Sequence, residues 1–103
     1  MGSGFRLALP LALTRVAHTN VSIFGQTSSL SSQSAKFEIG LELHVGMAIE
    51  YVISLPTDDG ASTMLCSWGR VAHVEESQAG FMVTASIERY KLDRGPLAGM
   101  PGR

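Results

Sequence analysis

Two adjacent stretches, AIEYVISLP (48–56) and STMLCSWGRVAHVE (62–75), alternate along the chain with a period of two. That period limits the fold more than any other feature, because side chains two apart share a face of a strand and not of a helix. In the first stretch Ile49, Tyr51, Ile53 and Leu55 stand against Glu50, Val52 and Ser54, which predicts a half-buried strand ending at Pro56. TDDGAS (57–62) follows as a turn, with Asp59-Gly60 as a hairpin signal. In the second, Met64, Cys66, Trp68, Arg70, Ala72 and Val74 share one face, while Leu65, Ser67, Gly69, Val71 and His73 share the other. Gly69 in mid-strand predicts a bulge or a close backbone approach. ESQAG (76–80) is a second turn, and FMVTASIER (81–89) a further strand with Phe81, Val83, Ala85 and Ile87 on one side.

The earlier part of the chain has the same character. LPLALTRVAHT (9–19) and VSIFGQTSSL (21–30) are β-prone, SAKFEIGLEL (34–43) is a strand that Gly40 interrupts, and HVGM (44–47) is a turn with Gly46 opening the next strand. About six short strands with turns between them, and no long helical pattern, predict an all-β fold. Closure into an antiparallel β-barrel protects the strand edges. Val52, Ile53, Leu65, Val71 and Val83 are expected among its apolar residues.

The 103 residues suffice for one domain, and 45% hydrophobic against 17% charged residues excludes a disordered chain. A net charge of −1 gives no global field for a nucleic acid polymer or an anionic membrane, so any anion site must be local. No apolar run is long enough for a membrane span. FRLALPLALTRVA (5–17) is apolar, but Pro10, Arg15 and the lack of a basic region before Arg6 argue against a signal peptide. The single cysteine excludes an internal disulfide and fits a reducing, cytoplasmic setting. Cys66 reads as a buried small hydrophobe and Trp68 as a core residue. Residues 1–4, MGSG, read as a flexible start or a cloning remnant, and the Gly- and Pro-rich tail 93–103 as disordered.

Catalytic chemistry finds little support. His18, His44 and His73 lack metal-ligand spacing, no nucleophile elbow accompanies the serines, and Asp58 and Asp59 sit in a hairpin tip as turn formers. The expectation is a non-enzyme without a metal or cofactor.

One run remains. Five serines fall within positions 28–34, ahead of Ala35, Lys36 and Phe37. Between two predicted strands, such a run is a structured turn whose hydroxyls satisfy the local backbone. The order of segments, Arg6 before the first strand, the turn SLSSQSAKF (29–37) after the second and the strand WGRVAHV (68–74), resembles the PilZ domain, a small bacterial β-barrel. The resemblance covers residues 5–92 and implies a six-stranded split barrel that binds the second messenger cyclic di-GMP. The family's two binding motifs are RxxxR before the first strand and [D/N]xSxxG after the second. Ser31 keeps the serine of the second motif, Ser29 replaces its acidic or amide residue, and Ser34 replaces its glycine. Arg6 fits the second arginine of the first motif, and Gly2 stands where its partner would be.

The resemblance therefore implies a ligand site at Arg6, Ser29, Ser31 and Ser34 with a reduced set of contacts. An arginine pairs bidentately with phosphate or guanine, which serine cannot replace. Each charged hydrogen bond lost removes about 1.5–3 kcal/mol, and two losses turn a micromolar site into one near millimolar. Lys36 beside the turn supplies only a point charge, and Arg15 lies within a predicted strand. Two expectations follow: a cyclic di-GMP signalling module with weak or lost binding, or a ligand-independent adaptor for a protein partner. The family implies pilus, motility or polysaccharide control for either.

Overall fold

The computed structural model describes residues 8–56 and 62–94. Arg6, residues 1–4, the hairpin tip with Asp58, Asp59 and Gly60, and the tail from 95 onward lie outside the described residues. The strands are β1 (Leu9–Val16), β2 (Thr19–Leu30), β3 (Ser34–Ile39), β4 (Ala48–Pro56), β5 (Ser62–Ser77), β6 (Gly80–Ser86) and β7 (Arg89–Arg94). Their order is β4-β1-β2-β3-β6-β5-β7, and β4 also pairs with β5. That last pairing closes six antiparallel strands into a barrel and leaves β7 as an extra strand on β5. The fold is the expected all-β barrel.

The period-two pattern fills the interior. Leu9, Leu11 and Leu13 from β1, Ala35, Phe37 and Ile39 from β3, Ile49, Tyr51 and Ile53 from β4, and Val83 and Ala85 from β6 all point inward. Leu43, from the loop after β3, joins this cluster. That loop is tied to β5 by Gly46 N–H to the Val71 carbonyl (2.8 Å) and Val71 N–H to the Met47 carbonyl (2.9 Å). Gly46 takes φ +94° there, a left-handed conformation that suits glycine. Phe37 and Tyr51 meet inside with ring centroids 5.5 Å apart. Of the expected apolar residues, Ile53, Leu65, Val71 and Val83 are buried, while Val52 lies half-buried on the outside.

Strand β5 departs from simple alternation. Leu65, Ser67, Gly69 and Val71 face inward, then the register against β6 shifts between Val71 and His73. This bulge moves His73 outward and turns Val74 toward Val83, so Val74 leaves the face it was expected to share with Met64 and Trp68. Gly69 answers to a close approach: a Cβ there would overlap the Ser86 carbonyl. Cys66 and Trp68 are not core residues. They occupy the outer face of β5, where Cys66 is half-buried and Trp68 is covered by the Arg89 guanidinium, 4.7 Å from the ring centroid.

Sequence periodicity ends its last strand at residue 89, whereas β7 begins there and pairs with Thr63–Trp68 of β5. It extends past the expected domain boundary at residue 92, so Asp93 and Arg94 lie in a strand.

Candidate functional site

The serine run covers the end of β2, a built turn at 31–33 and the first residue of β3. Ser31 N–H donates to the Ser34 carbonyl at 2.9 Å. The Ser31 hydroxyl accepts from the amides of Gln33 (3.3 Å) and Ser34 (3.2 Å), and donates to the Ser34 carbonyl at 3.3 Å. Ser34 Oγ lies 3.5 Å from Ser31 Oγ. The turn is fastened to the link between β6 and β7 by Ile87 N–H to the Gln33 carbonyl, 2.8 Å. Ser31 and Ser34 are thus brought together, with the Ser31 hydroxyl committed to the backbone.

Ser29 stands apart from them. A register shift between Thr27 and Ser29 pairs Ser29 with Lys36, Lys36 pairs with Thr84, and Thr84 with His73. Ser29, Lys36, Thr84 and His73 therefore form one row across four strands, with only Lys36 and protonated His73 able to offer positive charge. Ser34 pairs with Ser86, whose hydroxyl accepts from Arg70 N–H at 3.0 Å. Cross-strand register thus places Arg70 beside Ser86, one strand beyond Ser34, a proximity that linear spacing could not reveal. Its guanidinium is engaged with Glu88 at 3.5 Å.

Below the turn, a groove of about 160 Å³ is lined by Ser31, Ser32, Leu65, Ile87 and Tyr90. Tyr90 arrives on β7, the strand sequence periodicity missed. A second cleft of about 260 Å³ lies on the outer face among Arg15, His18, Trp68, Arg70 and Glu88. Its Arg15 is paired with Glu50 at 3.3 Å, so both of its arginines already face carboxylates. Among the described residues, no three His, Cys, Asp or Glu side chains gather as a metal site would require.

Buried Tyr51 donates from its hydroxyl to the Ser86 carbonyl at 3.0 Å. Burial holds its phenol well above the ordinary tyrosine range, with adjacent Ser67 acting weakly in the opposite direction. The group is a structural crosspiece linking β4 to the end of β6, with no access for a reacting molecule.

The fold and this site define a small closed antiparallel β-barrel with a serine-built turn, a groove beside it and, among the described residues, few unpaired cations. No family model, no curated protein and no solved structure matches the chain.

Proposed function

We propose that the chain is a PilZ-like regulatory barrel whose cyclic di-GMP site, at the turn between β2 and β3, is degenerate. The observation that carries this reading is the place of the serine turn. It follows the second strand of a closed six-stranded barrel, where the resembled family carries its second motif. A dianionic ligand there needs fixed cations to compensate its lost hydration. Around the turn Lys36 is a point charge and Arg70 already holds Glu88. Ser31 is occupied with its own backbone, and Ser29 offers guanine a short neutral acceptor.

Titration calorimetry with cyclic di-GMP at low salt tests the proposal. The expected result is weak or undetectable binding at low micromolar ligand. A dissociation constant at or below about 1 μM, worth about 8 kcal/mol, would contradict the degenerate site. Arg6→Ala should then abolish binding; if it did not, another basic residue would hold the phosphates.

One observation favours the second reading, a protein-binding adaptor. Tyr90 and Leu92 are 60% and 58% exposed on the same strand and side, an apolar pair on a strand whose other residues are all charged.

A further inference from the structure

We infer that the free edge of β7 is a self-association surface, on which a second copy of the chain pairs antiparallel about a two-fold axis through Leu92. The inference is independent of any ligand at the serine turn.

Among the described residues, each barrel strand has at least two neighbours, whereas β7 has only β5. An edge strand carries outward N–H and C=O groups that can pair with another strand. The side chains on this edge are unusual for one left to solvent. Tyr90 and Leu92 pair with Ser67 and Leu65, which are buried, so they continue the inner face of β5 beyond the point where the barrel closes. Nothing among the described residues covers them from the far side.

The charge pattern of RYKLDR selects the occupant and the register. In a two-fold antiparallel pair, residues equally spaced about the axis face one another. An axis through Leu92 sets Leu92 against its own copy and Lys91 against Asp93 twice. An axis through Lys91 opposes lysine to lysine, and one between Lys91 and Leu92 opposes Arg89 to Arg94. Only the Leu92 axis avoids opposing like charges while matching opposite ones, and opposite-charge cross-strand pairs are favourable where like-charge pairs are not. Lys91 and Asp93 make no ion pair with other described residues.

Sedimentation velocity of the full chain, from low micromolar to submillimolar concentration, is the test. A concentration-dependent monomer–dimer equilibrium is expected. Asp93→Lys and Leu92→Lys should each weaken it by roughly tenfold or more, because each substitution acts twice in a two-fold interface. Combining Lys91→Asp with Asp93→Lys should restore it to within a few-fold. In a Cys66→Ser background, Leu92→Cys should cross-link with itself under mild oxidation, and Lys91→Cys should not. All three positions are exposed, and circular dichroism checks that the variants keep the barrel. A monomer at every concentration, or a dimer indifferent to these substitutions, overturns the inference. So does a chain that dimerises only after residues 1–7 are removed, since its own N-terminal segment would then cover the edge.

Discussion

Ser31 and Ser29 differ by two positions and by everything that matters energetically. The Ser31 hydroxyl accepts two amide hydrogens inside the turn, and its removal would leave both without that partner. Ser31→Ala should therefore lose about 1–2 kcal/mol in urea unfolding. Ser29 makes no such bond among the described residues, so Ser29→Ala should stay within about 0.5 kcal/mol. Equal losses at the two serines would show that the turn is not built as described. Gly69 is the other residue whose identity is dictated by space. Its missing Cβ lets the Ser86 carbonyl approach β5, and that carbonyl also receives the Tyr51 hydroxyl. The obstacle to a side chain is backbone, which cannot rotate away. Gly69→Ala should cost about 2–3 kcal/mol by chemical denaturation, and a change below about 0.5 kcal/mol would deny the close approach.

At the scale of elements, legibility followed burial. Strand β4 could be read directly because one face is inside and the other outside along its length. The first half of β5 sorts into the same two faces, although apolar Cys66 and Trp68 lie on the outer one, and then the bulge after Val71 inverts its parity. The extra residue of a bulge leaves no mark on composition, so Val74 pointed the wrong way in the sequence. Strand β7 was missed for a related reason: Tyr90 and Leu92 alternate with charges, but neither face is buried, and the contrast that announces a strand is weak. For the candidate site, the serine turn was legible as a local motif. Its neighbours Arg70 and Tyr90 were not, since only cross-strand register brings them there. Trp68 reads as core from its apolar neighbours yet lies outside, and its cover was not legible either, because the cover is Arg89 on β7. This pairing gives β7 a spectroscopic reporter, Trp68 being the chain's single tryptophan. Arg89→Ala should raise acrylamide quenching of its fluorescence and lower stability by about 0.5–1 kcal/mol. Unchanged quenching would mean that the Arg89 side chain does not lie over Trp68.

The whole molecule depends on a closed barrel, and Tyr51 reports on its closure. Its ring packs on Phe37 of β3 while its hydroxyl reaches the end of β6, so one side chain from β4 touches the opposite wall. Opening the barrel would hydrate it. Burial raises the folded-state pKa, so the folded chain keeps the phenolic proton above the pH at which the unfolded chain loses it. Below about pH 10 both states hold the proton and the contribution to stability is complete. Above that pH the unfolded state alone ionises, and stability falls by about 1.4 kcal/mol per pH unit until the folded phenol titrates. Lysine titration overlaps this range, so the informative quantity is the difference between the native chain and Tyr51→Phe. At neutral pH the variant should be weaker by about 1 kcal/mol, from the hydrogen bond lost at the Ser86 carbonyl. On raising the pH past 10, the native chain should lose stability faster, and the two denaturation midpoints should converge and then cross. Parallel pH profiles would show that Tyr51 is already hydrated in the folded state, which a closed six-stranded barrel does not permit.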